Sequence, residues 1–298
     1  MKSKLALGLV QVGGKLSFYE DMQPQYYKDI LRKAIRSGIR VFDSAYSYEN
    51  ADNLLYSVLK EQHVKREEYD ITQKIMPLPT FIKKAETSLS RLNCDYFNTL
   101  LIHWPTKDER LLFSTFKSLE KLKTEEKCIN IGVSNFPYEL LKQVSSDFEV
   151  NVLERSYSLI WTKEIDKIIE LSNEKNIKLY GYTPLGEGLL SGKYRDKSSL
   201  NDGRKNLWVF DHLSEFHSLL DMVEKLAIKY STTMAEIALA FSRQGGFDRI
   251  FIGISKPYQL DIFSSTITLE EDEIITLKKL ADKISSYNLT DNIYQHRW

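Results

Sequence analysis

Ile39-Arg40-Val41-Phe42-Asp43-Ser44-Ala45-Tyr46-Ser47-Tyr48 passes from a short β-type run into an acid and, five residues later, a phenol. Asp43 ends the run and Tyr48 stands in the loop after it. A tyrosine so placed can hand a proton to a carbonyl oxygen if a nearby cation lowers its pKa from about 10, and a carboxylate must hold that cation still. The next two strand-like runs supply the parts: Lys74 closes 69–74 and His103 closes 97–103. Burying an ammonium costs several kcal/mol unless it is paired, which makes Asp43 the natural partner of Lys74. His103 is then expected to orient the carbonyl or to share the proton. Taken singly, a tyrosine after a strand reads as rim packing and a histidine before Trp-Pro as structural. A lysine closing an apolar run is harder to explain away, because lysines seldom end up buried.

The same alternation runs through the chain. A first strand is expected at 5–12, closed by Gly13 and Gly14, and then a helix over 24–38. Its apolar residues Tyr27, Ile30, Leu31, Ala34 and Ile35 share one helical face. Strand 39–43 follows, then helix 51–61, strand 69–74, helix 80–92 and strand 97–103. Helix 109–124, strand 128–133, helix 137–146, strand 148–154, helix 163–174 and strand 177–182 continue the series, and 249–253 is the last strand. Strands that are apolar throughout, each followed by an amphipathic helix, indicate a parallel sheet covered by helices. Eight of them predict a closed (β/α)8 TIM barrel, α/β in class, as a single domain over 1–298. A doubly wound sheet shares the alternation. The barrel is preferred because Asp43, Lys74 and His103 fall at strand carboxyl ends, where barrels build their sites. The rhythm breaks around 186–213, a polar stretch with Arg195, Asp196, Lys197, Asp202 and Lys205, too long for an ordinary βα connection.

Composition narrows the function classes. The 298 residues carry 41 basic and 41 acidic side chains, so nothing points to nucleic acid or an anionic membrane. No stretch reads as a signal peptide or a membrane span. Cys94 and Cys128 are far apart without metal-ligand spacing, so no metal is expected, and they read as reduced thiols of a cytoplasmic protein. There is no Gly-x-Gly-x-x-Gly, so the Rossmann route to a dinucleotide is absent.

Five stretches carry a resemblance: DSAYSY at 43–48, LLIHWP at 100–105, GVSNF at 132–136, YTPLGEGLLSGKY at 182–194 and, more loosely, IGISKPYQL at 252–260. In this order the chain resembles the aldo-keto reductase family. The resemblance implies an oxidoreductase that reduces an aldehyde or ketone by hydride transfer from NADPH or NADH, with Asp43, Tyr48, Lys74 and His103 as the catalytic set. It places Ser134 and Asn135 on the nicotinamide carboxamide, Glu154 under the nicotinamide, and Tyr182 against its ring. Pro184, Leu185 and Gly186 approach the pyrophosphate, Lys193 and Arg204 bind phosphate from a loop folded over the dinucleotide, and Ser255 and Gln259 meet the adenosine side. Tyr46 and Trp104 are expected to line the substrate pocket, with Trp161, Trp208 and Trp298 as further aromatic candidates and 287–298 as the segment that closes it.

The chain departs from the family at three places. Glu49 replaces a glycine, Glu154 replaces the glutamine under the nicotinamide, and Ile262-Phe263 replaces the Glu-Asn pair on the adenine. A carboxylate at 154 is expected to favour oxidised nicotinamide, with Arg155 facing the other way. Lys256, beside Ser255, suits a 2′-phosphate and favours NADPH. A second function class fits the same barrel: a cofactor-sensing or scaffolding module, like the family's potassium-channel β subunits. Retention of the four catalytic residues favours the enzyme, and Ile262-Phe263 favours the module.

Overall fold

A computed structural model of the chain describes residues 4–13, 23–48, 50–200 and 203–285. Glu49, Asp202, Trp298 and the segment 287–298 lie outside the described residues, as do the side chains of Lys205 and Trp208. Strands and helices alternate. In order they are β1 (Leu5–Gly8), α1 (Pro24–Arg36), β2 (Val41–Asp43), α2 (Ala51–Glu61), β3 (Asp70–Ile75), α3 (Phe81–Leu92), β4 (Phe97–Ile102) and α4 (Glu109–Thr124). They continue with β5 (Cys128–Ser134), α5 (Tyr138–Asp147), β6 (Val152–Ser156), α6 (Ile165–Lys175), β7 (Lys178–Tyr182), α7 (Trp208–Asp211), α8 (Leu213–Lys229), α9 (Met234–Gln244), β8 (Arg249–Gly253) and α10 (Glu271–Ser285). The strands pair in parallel in chain order, and β8 returns to β1, so the sheet closes as an eight-stranded (β/α)8 barrel.

The sequence explains the local choices. In α1, Pro24 occupies the first turn, where a missing N–H is no loss. Tyr27, Ile30, Leu31, Ala34 and Ile35 are all buried on its inner face, and the helix gives way at Gly38, whose φ is 86°. The larger core lies between sheet and helices. A smaller one fills the barrel itself with Ala6, Leu101, Val152, Tyr180 and Phe251, beneath the polar strand ends.

Several boundaries differ from the expected ones. β1 ends at Gly8 and β2 begins at Val41. β6 spans 152–156, not 148–154, because Phe148 stacks on Phe116 of α4 with ring centroids 4.4 Å apart. That apolar residue belongs to the helix layer, although its composition reads as strand. α8, α9 and α10 have no counterpart among the expected elements. The polar stretch 186–213 is structured where it is described. It folds into short 3₁₀ turns and α7, with Leu189, Leu190, Tyr194, Leu200, Val209 and Phe210 buried.

Candidate active site

β2, β3 and β6 bring three charged side chains into contact inside the barrel. Lys74 is 2% exposed, Asp43 4% and Glu154 1%. The Lys74 ammonium donates to Asp43 and lies 2.9 Å from Glu154 Oε1. It also faces the Tyr48 phenol, 5.6 Å from the ring centre. His103 meets the Tyr48 ring edge-on, with centroids 6.1 Å apart. The three strand-end residues and the loop tyrosine singled out in the sequence are therefore neighbours.

Backbone ladders and a hidden carboxylate fix these positions. Beyond the end of β2 the parallel pairing continues, with the Ser44 N–H donating to Thr72 O at 2.8 Å and the Tyr46 N–H to Lys74 O at 2.9 Å. Asp52, buried on α2, accepts from Ser44 Oγ at 2.6 Å and from Gln73 Nε2 at 2.9 Å. It thereby grips the residues next to Asp43 and Lys74. Gly13 presses on the Tyr48 backbone so closely that a Cβ there would stand 2.1 Å from its carbonyl oxygen. Only glycine allows that approach.

Burial dominates the electrostatics. It raises the Asp43 carboxyl well above the usual range, and Glu154 adds to the rise while Lys74 opposes it. Burial alone would lower the Lys74 ammonium, but Asp43 and Glu154 outweigh it and hold the group above its ordinary value. The Tyr48 phenol is raised, first by burial; Lys74 pulls it down, and Asp43 and Glu154 push it up. The expectation that Lys74 leaves the resting phenol with a lowered pKa is thus corrected. Desolvation penalises phenolate, and the second carboxylate offsets the cation. His103 is lowered to about 3 by burial and by Lys74, so its ring is neutral.

These residues form the floor of a cavity of about 480 Å³ at the carboxyl end of the barrel. Trp104, Ser134, Asn135, Tyr182, Pro184, Leu185, Arg204, Ser255 and Gln259 also line it. Asn135, held at a φ of 66°, donates from Nδ2 to His103 O and to Ser134 Oγ, each at 3.0 Å, and its Oδ1 accepts from the Tyr182 hydroxyl. That bond anchors Tyr182 by its far end and leaves its ring for the cavity. Gln259 Oε1 accepts from the N–H groups of Ser255 and Lys256, both at 2.9 Å, capping the turn that follows β8. Arg204 stacks on Tyr194 and donates to its hydroxyl at 2.8 Å.

Other sequence candidates lie elsewhere. The Tyr46 ring is under the Lys84 ammonium at 4.0 Å and the Arg91 guanidinium at 4.7 Å, against α3 and away from the cavity. Trp161 is buried in the core between sheet and helices. Gly186 turns away from the cavity, since a Cβ there would meet Ile160 at 2.7 Å. Lys193 sits over the Tyr194 ring at 5.2 Å and does not line the cavity. Ile262 and Phe263 pack against the core.

The cavity also has walls that the sequence reading did not assign: Gln11, Met76, Thr183, Glu187, Gly188 and Phe251. Thr183, Gly186, Glu187 and Gly188 all have positive φ, at 55°, 56°, 55° and 93°. For a β-branched threonine this is an outlier, of the kind that marks functional loops. The paired glycines at 186 and 188 were the available signal for a backbone cradle. Burial raises the Glu187 carboxyl to about 7, with Arg204 opposing.

A dinucleotide fits this donor set on two observations. The Tyr182 ring is anchored to face the cavity, and the buried Glu154 Oε2 and His103 Nδ1 have no hydrogen-bond partner among the described residues. Among the described residues no helix is long and apolar enough to cross a membrane.

Comparison with known proteins agrees with the architecture. The chain is 22% identical to the NADH-specific methylglyoxal reductase of Escherichia coli (strain K12), over 95% of both chains. It is 32% identical to the glyoxal reductase of Bacillus subtilis (strain 168), over 54% of this chain and 58% of that one. Among solved structures, the glycerol dehydrogenase of Gluconobacter oxydans superposes with a TM-score of 0.80 at 21% identity, covering 93% of this chain and 90% of that one. The sequence pattern of the Aldo/keto reductase family matches residues 4–282, nearly the whole chain, and the protein belongs to that family of oxidoreductases.

Proposed function

We propose that the protein is an NAD(P)H-dependent reductase of a small aldehyde or ketone, with Tyr48 as the proton donor. The observation that carries this reading is the buried Lys74, held by Asp43 and aimed at the Tyr48 phenol on the floor of the cavity. The reduced cofactor supplies hydride when bound; the remaining work falls to this chain. Burial keeps the phenol protonated, so the donor is loaded at working pH. Lys74 then stabilises the phenolate that forms once the proton has passed to the carbonyl oxygen. Positioned proton transfer of this kind contributes about 10²–10⁴-fold. His103, neutral and next to Tyr48, orients the carbonyl through hydrogen bonding and does not serve as an imidazolium acid.

Tyr182 serves as the ring platform, Ser134 and Asn135 meet the carboxamide by exchanging partners with it, and Arg204 with the backbone at 183–188 holds phosphate. Ser255 and Gln259 border the adenosine side. Exposed Lys256 favours NADPH, and NADH is the competing form, since one full-length relative is named NADH-specific. Two relatives are named for glyoxal and methylglyoxal, so small dicarbonyls head the substrate panel. Two free cysteines are compatible with a cytoplasmic setting. The scaffolding-module reading has one observation in its favour: Ile262 and Phe263 are packed where the family places an adenine anchor.

Fluorescence titration with NADPH and NADH, followed by turnover of a carbonyl panel, separates these readings. The reductase reading expects micromolar binding and turnover of at least one small carbonyl. Binding with no turnover across the panel would instead favour the module.

A further inference from the structure

We infer that Glu154 makes binding of the oxidised cofactor release a proton that binding of the reduced cofactor does not, so that this residue sets the preference of the site between the two forms. The inference rests on the reading of the cavity as a nicotinamide site. It departs from the simpler expectation that a carboxylate at 154 acts on the ring as a free negative charge.

The geometry differs from a lone carboxylate. Glu154 Oε1 is 2.9 Å from the Lys74 ammonium, which Asp43 also holds, and all three groups are at least nine-tenths buried. Two carboxylates and one ammonium leave one negative charge if every group is ionised. An uncompensated buried charge is expensive, and two carboxylates sharing a site do not both ionise readily. The pair therefore keeps one proton, and the cluster is neutral. Burial and Glu154 together raise Asp43, in agreement with a retained proton.

Among the described residues no other charged group pairs with either carboxylate, and Arg204, across the cavity, is held on Tyr194. Tyr48, after β2, and His103, after β4, face it as neutral groups, with the phenol raised and the imidazole lowered. From β7, Tyr182 bonds Asn135, and Tyr180 lies lower in the barrel, its pKa also raised by burial. Arg249 of β8 pairs with Asp70 at the opposite end of the strands. Arg155 points to the helix layer, where its Nη2 donates to Lys163 O at 3.3 Å.

The remaining oxygen, Glu154 Oε2, receives no hydrogen bond from a donor among the described residues, and Glu154 lines the cavity. Oxidised nicotinamide carries a positive charge, which takes the place of the shared proton. Reduced nicotinamide is neutral and leaves the proton where it is. It follows that the Kd of the oxidised form falls as pH rises, by up to about tenfold per pH unit where one whole proton is released. A proton linked to Glu187 or to the phosphates is common to both forms and cancels in their difference.

Isothermal titration calorimetry of oxidised and reduced cofactor at pH 7, in buffers of different ionisation enthalpy, reads the proton count directly. For the native chain the release should be larger for the oxidised form by close to one proton. In Glu154→Gln the difference should vanish and the oxidised-to-reduced Kd ratio should rise at least tenfold. Equal proton release for both forms in the native chain, which needs no variant to fold, would overturn the inference. So would an undiminished difference in Glu154→Gln. If neither form binds the native chain, the nicotinamide reading fails and the inference falls with it.

Discussion

The cluster on β2, β3 and β6 and the arm from 183 to 211 are built on opposite plans. In the cluster, chemistry lives in side chains: Asp43, Lys74 and Glu154 are buried, mutually bonded and braced by Asp52 through Ser44 and Gln73. In the arm it lives in backbone, with positive φ at Thr183, Gly186, Glu187, Gly188 and Gly192, and with charged residues such as Arg195 and Lys197 paired at the surface. Low dielectric makes each charge in the first region strongly coupled to its neighbours, whereas solvent screens those in the second. Substitutions in the cluster should therefore alter stability and chemistry together, and substitution of the arm's cavity-lining Arg204 should alter affinity more than stability.

The largest effect is expected from Lys74→Met. It leaves Asp43 and Glu154 buried without a cation, and removing one partner from a buried ion pair typically costs about 3–5 kcal/mol. Chemical denaturation should show that loss together with abolished turnover. An inactive variant as stable as the native chain would break the contrast between the regions.

A middle effect belongs to Arg204. As a cavity-lining guanidinium it can make charge-assisted bonds worth about 1.5–3 kcal/mol, so Arg204→Ala should weaken dinucleotide binding by roughly tenfold or more without lowering stability comparably. Lys193→Ala, away from the cavity, should change affinity little. Titrations at low salt decide between them, and equal losses in the two variants would show that the cavity boundary does not mark the phosphate site.

Glu187→Gln should act differently, through stability and visibly only against pH. The folded chain holds the Glu187 proton up to about 7, against 4.5 for an ordinary glutamic acid. This contribution to stability is therefore complete below pH 4.5 and is lost as pH rises towards 7. The native chain should lose stability across that window relative to the variant. Parallel melting curves for the two proteins from acid to neutral pH would contradict a raised Glu187 carboxyl.

The two regions were also unequally legible in the sequence. Asp43, Lys74 and His103 could be read because a polar residue closing an apolar run needs a reason, and strand ends are where a barrel puts such residues. The buried face of α1 followed from helical spacing alone. The arm resisted, because its cradle depends on left-handed backbone and leaves little trace beyond two glycines. Tyr46 was misplaced because strand order cannot say that a loop ring turns towards α3, under Lys84 and Arg91. The pairing of Glu154 with Lys74 could not be read, since it joins β3 and β6 across the barrel interior.

The central claim is that Tyr48 delivers the proton and Lys74 stabilises the phenolate left behind. Single-turnover stopped-flow following oxidation of bound reduced cofactor by a carbonyl substrate tests it in Tyr48→Phe. The account predicts cofactor Kd within a few-fold of the native value and hydride transfer slowed by about 10²–10⁴-fold or more. Hydride transfer at the native rate in Tyr48→Phe would contradict it.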